Sequence, residues 1–392
     1  MTDTRMARAL LAIALALVSV LVASGATVAQ PDVRFDRPSA QGAFGEDVIF
    51  STTFTSDVPP ARVELLTRLP DDQSDRVTIA AVEPTPDGWR ATVAQGGHIV
   101  PNTTWSYRFR VVTDTGDVVG PAAVHRVSDS RFAWEMLEGD GVNVWTYEGD
   151  DGFARRALEI AERALASASE LLGVTDSEPV DFFVYTDTRE FRQAMGPATR
   201  ENVGGQAHPA IRTLFALIEP RQIRSDWVEE VITHELAHIV FHDAVDNPVQ
   251  YPPRWLNEGV AVYLASGYPD GSRAQVEGAA RGGTIIPLEG LGGQFPTRPG
   301  RQSLAYAASI DAVDHLIATH GEGGLVELIR SFGAGEGLDG AFRQVTGEDF
   351  ASFDADWLAS HGIDEPDPYG PQAGEPGAVP AAWQGSDDSS AE

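Results

Sequence analysis

The chain has 392 residues, 28 basic against 58 acidic positions, a formal charge of -30 and a 42% hydrophobic share. That balance leaves no broad basic surface to neutralise phosphates, so nucleic acid is excluded as a partner, and the absence of cysteine removes disulfides, thiolate metal sites and cysteine nucleophiles together. The length exceeds what one ordinary core fills, so a leader, two folded units and a tail are expected.

Arg5 and Arg8 precede an apolar run from Ala9 to Val22, and small residues follow, with a cleavage point after Ala29. This is the pattern of a secretory leader over residues 1–29. An uncleaved anchor helix would need about 20 apolar residues to span a bilayer. The mature chain is therefore expected outside the cytoplasm, secreted or at the cell surface, with no transmembrane span.

From 31 to 135 the chain runs as short alternating segments, "DVIFSTTF", "ARVELLTRL", "DRVTIAAVE", "WRATVAQ" and "TWSYRFRVVTD", broken by "VPP", "PDD", "PTPDG" and "DTGD". Strands at that spacing without helical periodicity predict an all-β sandwich. The stretch "WSYRFRVVTDTGDVVGP" resembles the late strands of fibronectin type III or immunoglobulin-like modules. Nothing in this region forms a constellation that carries chemistry, and His98 and His125 read as isolated surface or turn residues.

After residue 150 the period changes. "FARRALEIAERALASASELLG" predicts an amphipathic helix ended by Gly173, and "PVDFFVYTD" and "RTLFALIEP" predict strands. Helices follow at 225–243, 254–266, 302–319, 323–332 and 350–361, making residues 136–364 an α+β unit. Residues 365–392 are dominated by proline, glycine, serine and acids and cannot bury enough apolar surface to fold, so a disordered tail is expected.

Within the first of those later helices lies "VITHELAHIV", two histidines four apart around a glutamate in an otherwise apolar run. Asp226 and Glu229 supply a capping-box start signal. Residues four apart differ by only about 40° around a helix axis, so His234 and His238 share a face and can share an ion. Glu235 is offset by roughly 100°, beside the metal rather than on it, where a base for a metal-activated water belongs. Two buried histidines at this spacing by accident is the competing reading, and a mid-helix, apolar setting makes it rare.

A catalytic zinc site needs a third protein ligand and an open position. His242 continues the spacing, but it lies about 6 Å further along the same rigid helix and reads instead as a residue favoured by the helix C-terminus. The metzincin pattern would require glycine and histidine where Phe241 and Ala244 stand. The third ligand expected is Glu258 of "PRWLNEGVAVYLAS", one turn into a helix that Pro253 starts, with Gly259 permitting close approach of a neighbouring helix. A glutamate placed merely to favour a helix N-terminus is the alternative.

HELAH followed, after nineteen intervening residues, by the glutamate of "WLNEG" resembles the gluzincins, the HExxH-plus-glutamate metallopeptidases that include thermolysin and aminopeptidase N. The later "SLAYAASIDAVDHLIATHGEGGLVELIRSF" is similar to the C-terminal half of the bacterial peptidase MA-like family. The resemblance implies a thermolysin-like zincin domain and one Zn2+ held by His234, His238 and Glu258. It further implies Glu235 as catalytic base and Tyr306 as a phenol near the metal that could serve the oxyanion. A tyrosine packed between helices is as good a reading of Tyr306. One departure is visible: thermolysin-like enzymes carry an aspartate four residues after the ligand glutamate to orient a histidine, and here that position is Val262, so another carboxylate or a backbone carbonyl is expected in that role.

The expectation is peptide-bond hydrolysis, with substrate added as a strand along "AIRTLFALIE" and backbone access at Gly204 and Gly205. Aminopeptidases of this class bind the free amine with an upstream glutamate, and no carboxylate occurs from Asn202 to Ile218, which favours an endopeptidase. The alternatives are an aminopeptidase-like exopeptidase and a catalytically silent cell-surface binding protein on a zincin scaffold. His208, His315, His320 and His361 read as loop, helix-surface or capping residues. Oligomeric state is not encoded in any of these features.

Overall fold

The computed structural model describes residues 31–364 apart from 71, 176, 197–203, 248 and 250. The expected leader and tail lie outside the described residues. Two compact units divide after Arg131, a few residues before the 135/136 boundary that composition suggests. The fold is mixed α+β.

The first unit contains strands β1 (Val33–Phe35), β2 (Ser39–Gln41), β3 (Val48–Ser56), β4 (Arg62–Arg68), β5 (Arg76–Ile79), β6 (Ala81–Thr85), β7 (Gly88–Gln95), β8 (Thr104–Thr113), β9 (Gly116–Val119) and β10 (Ala123–Arg126). They form two five-stranded antiparallel sheets, β1-β3-β7-β6 with β2 on β3, and β10-β8-β4-β5 with β9 on β8. Alternation decides the buried faces: Trp105, Tyr107, Phe109 and Val111 of β8 point inward. Phe50 of the other sheet stacks on Trp105 at 5.1 Å and meets Tyr107 edge-on at 4.9 Å. The segment "DRVTIAAVE" is not the single strand its pattern predicts. Ala80, bonded through its N–H to Val63 O, splits it, so β5 stays with β4 while β6 joins β7 in the other sheet.

The second unit contains β11 (Glu135–Glu138), β12 (Val142–Thr146), α1 (Asp151–Leu172), β13 (Val180–Tyr185), α2 (Thr188–Met195), β14 (Gly205–His208), β15 (Thr213–Leu217), α3 (Asp226–Val245), α4 (Arg254–Ser266), α5 (Asp270–Arg281), α6 (Pro299–Gly333), α7 (Leu338–Thr346) and α8 (Phe350–Ser360). Its sheet runs β11-β12-β13-β15-β14, parallel from β12 through β15 and antiparallel at both edges. Helices α1 and α3 cover one face, where Val144, Phe182 and Leu214 pack against Ile160, Ile232 and Leu236. Trp145, Phe183 and Phe215 stack across the other face at 5.4 and 5.5 Å.

Helix α1 ends as expected: Gly173 takes the left-handed conformation at φ 65°. Helix α6 runs through both predicted helices but breaks at Gly321, φ 74°, so the expected division persists as a kink. Helices α2 and α7, of 8 and 9 residues, and the polar α5 are not predicted from the sequence. The capping box at α3 does not form. Ser225 is the cap residue, Asp226 is already helical, and Glu229 pairs with Arg156 and Arg163 of α1 at 3.2 and 2.9 Å.

Candidate metal centre

Helix α3 carries His234 and His238 on one face, and their Nε2 atoms are 3.2 Å apart. Helix α4 begins after Pro253 and packs against α3, which brings Glu258 Oε2 to 3.5 Å from each imidazole Nε2. His234, His238 and Glu258 each offer a ligand atom, all within 4.8 Å of one another. A tetrahedral zinc with bonds of roughly 2.0–2.1 Å needs donors about 3.3–3.4 Å apart. The separations here bracket that value, and two nitrogens with one carboxylate oxygen are a donor set zinc accepts, so the residues fit the ion.

Glu258 is buried, 7% exposed. Burial works against its charge, yet the hydrogen bond to His234 and the charges of His238, His234 and Arg254 outweigh it and hold its pKa at about 2. Its second oxygen, Oε1, accepts from Arg254 Nη2 at 2.9 Å and Nε at 3.1 Å. Arg254 precedes Glu258 by one turn, so the pair is a visible i,i+4 combination that motif reading passes over.

Glu235 projects from α3 toward the edge strand β14, where its Oε2 accepts the Ala207 N–H at 2.8 Å. Burial pushes its pKa up, against the opposing pull of His238 and the Ala207 N–H. The contact requires the strand to lie close over the helix, and glycine permits it: a Cβ on Gly205 would come within 2.8 Å of Glu235 Cγ.

The register of β14 with β15, together with the Leu217 N–H bond to Gly204 O, turns the backbone groups of Gly205 and Ala207 away from β15. This corrects the expectation for "AIRTLFALIE". Strand β15 is bonded on both sides, by β13 and β14, so among the described residues the sheet edge nearest the site is β14, with β11 at the far edge.

For His238, the orienting role left open by Val262 falls among the described residues to neither a carboxylate nor a backbone carbonyl. Val262 packs into the helical core. His238 Nδ1 instead meets Asn257 Oδ1 at 2.8 Å, and Asn257 Nδ2 donates to the Tyr251 hydroxyl at 3.3 Å. Burial and the Glu258 charge push Tyr251 up to about 12. Tyr306 on α6 lies at the same site: burial raises its pKa, the charges of Glu258 and Glu235 add to the rise, and the Arg254 charge opposes it. Its ring also packs edge-on against Phe295 at 5.2 Å, so both readings of this tyrosine describe it.

His242 stays outside the cluster, its ring 6.3 Å from that of Tyr251. His361 departs from a simple capping role: its Nε2 meets Asp311 Oδ1 at 2.7 Å.

The Peptidase MA superfamily profile matches residues 160–361, just over half of the chain. The chain belongs to the Peptidase MA superfamily. Its two-histidine, one-glutamate set makes it a superfamily member of the gluzincin metallopeptidase kind. Solved structures similar to this superfamily member include an aminopeptidase N family protein from Idiomarina loihiensis, at 12% identity and TM-score 0.44, covering 83% of this chain and 76% of that one. Another is an M1 zinc metallopeptidase from Deinococcus radiodurans, at 14% identity and TM-score 0.37, covering 86% and 94%. No curated protein matches the chain significantly. Among the described residues no helix is long and apolar enough to cross a membrane.

Proposed function

We propose that this chain is a zinc-dependent endopeptidase in which His234, His238 and Glu258 hold one ion and Glu235 is the general base. The observation that carries the reading is the placement of Glu258 Oε2 at 3.5 Å from both imidazoles, with Glu235 beside them. A zinc ion in that seat supplies Lewis acidity, polarising a scissile carbonyl and acidifying water. The Ala207 N–H occupies Glu235 Oε2, so Oε1 is the atom left to take the proton of the attacking water and return it to the leaving amine. Tyr306 donates its phenolic proton to the developing oxyanion.

Peptide substrate adds to the outer edge of β14, where the Gly205 N–H and C=O and the Ala207 C=O face away from β15, the Ala207 N–H being taken by Glu235. No carboxylate lies between Gly204 and Ile218 to bind a free amine, which supports internal cleavage. The remaining inferences are a thermolysin-like arrangement of the catalytic unit, an immunoglobulin or fibronectin III-like kinship for the sandwich, and export, which is supported by the leader pattern of residues 1–29.

Replacing Glu235 by Gln is expected to leave one zinc per chain in metal analysis while casein cleavage falls by roughly 10²–10⁴-fold. Undiminished cleavage would remove Glu235 from its role. Zinc bound by the unaltered protein without any turnover would favour the silent scaffold.

A further inference from the structure

Arg254 is held at the metal centre from several sides. Its Nε and Nη2 both donate to Glu258 Oε1, at 3.1 and 2.9 Å, while the other oxygen of that carboxylate faces the two imidazoles at 3.5 Å. Its Nη1 donates to Gln294 Oε1 at 3.3 Å, and its guanidinium carbon lies 4.8 Å from the centroid of the Phe295 ring. Its positive charge also opposes the rise of the Tyr306 pKa, so the guanidinium is felt on the Tyr306 side of the site as well. An arginine serving only as a helix-surface partner would be mobile and solvated. This one is 29% exposed and anchored by an amide and an aromatic ring.

We propose that Arg254 is a positioning residue that confines Glu258 to one-oxygen coordination, by occupying Oε1 with two N–H donors while Oε2 is presented to the ion. The inference rests on the zinc-peptidase reading of the site. A carboxylate can grip a metal with one oxygen or with both, and a two-oxygen grip takes a coordination position that a hydrolytic site keeps open for water and substrate. Moving Oε1 to the ion would break two charge-assisted hydrogen bonds and leave the guanidinium facing a cation without its counterion. Arginine suits the task because its donors lie in a fixed fork, whereas lysine offers a point charge that can follow either oxygen.

The test uses the full chain loaded with Co2+ in place of zinc, because the intensity of the cobalt visible bands falls as coordination rises from four to five. The unaltered protein is expected to bind one cobalt per chain. Arg254→Met is expected to bind the same amount with weaker bands and to lose roughly 10–100-fold in kcat, while KM stays within about threefold. Arg254→Gln, which keeps one donor toward Oε1, is expected to fall between the two in both readouts and supplies the comparison if the methionine variant does not fold. Wild-type band intensity in the variants overturns the inference, whatever their activity. Failure of the unaltered chain to take up cobalt would instead overturn the reading of the site itself.

Discussion

Asn257 governs His238 through one hydrogen bond whose direction its own neighbour decides. Its Nδ2 donates to Tyr251, so its Oδ1 faces the ring and accepts the Nδ1 proton at 2.8 Å, leaving the Nε2 lone pair toward Glu258. Asn257→Ala is expected to weaken zinc binding by roughly 10–100-fold, measured by competition with a chromophoric chelator. An unchanged affinity would mean that helix packing alone orients the ring. Asn257→Asp retains the acceptor and should bind zinc at least as well. At this scale the histidines and Glu235 were legible because they sit on one helix, where spacing alone fixes direction. Asn257 was not. Its role depends on how α4 lies against α3, and the position where thermolysin-like enzymes carry the orienting aspartate, Val262, packs against the core.

Two close approaches between elements set the geometry of the site, and glycine permits each. Gly259 lies against α6, where a Cβ would come within 2.5 Å of Ser309 O and 2.7 Å of Val313 Cγ2. The expected close contact is therefore real, and the neighbour that needs it is α6, the helix that also carries Tyr306. Gly205 performs the same service between β14 and α3, where the nearest atoms are Glu235 Cγ and Val231 Cγ1, both on side chains. Gly205→Ala is therefore expected to fold and retain zinc while displacing Glu235, lowering kcat by about tenfold or more. Full activity with full zinc occupancy would show that Glu235 tolerates the shift. Length made α1 readable and the motifs of α3 and α4 marked those helices, but α2 and α7 span only 8 and 9 residues and α5 buries only Val276 and Ala279, so none of them is a long apolar run.

Across the second unit, a buried aspartate ties the last helix to the helices that carry the site. Asp311 of α6 accepts from Trp357 Nε1 at 2.6 Å, from His361 Nε2 at 2.7 Å and from the Tyr268 hydroxyl that follows α4. Burial opposes its charge, yet the hydrogen bonds from His361, Tyr268 and Trp357 win and lower its pKa below the usual carboxylate range. A folded-state pKa below the unfolded one contributes stability that is fully present above the unfolded value and is lost as pH falls through the folded one. Asp311→Asn is expected to cost roughly 1–3 kcal/mol near neutral pH. The gap from the unaltered protein should close below about pH 4, as followed by thermal unfolding from pH 7 to pH 3. A gap that stays constant across that range would refute a charge-dependent role.

What the sequence by itself determined was local. It identified the α+β character of the second unit, the sandwich pattern of the first, and the histidine pair with its glutamate, because helix and strand periods dictate direction without reference to the rest of the chain. Tertiary structure alone decided which oxygen of Glu258 faces the histidines, that Asn257 and Arg254 hydrogen-bond His238 and Glu258, that β14 rather than β15 lies at the sheet edge, and that "DRVTIAAVE" divides between two sheets. Each of these depends on how separately encoded elements come to lie beside one another, through contacts between residues far apart in the chain that no local pattern records.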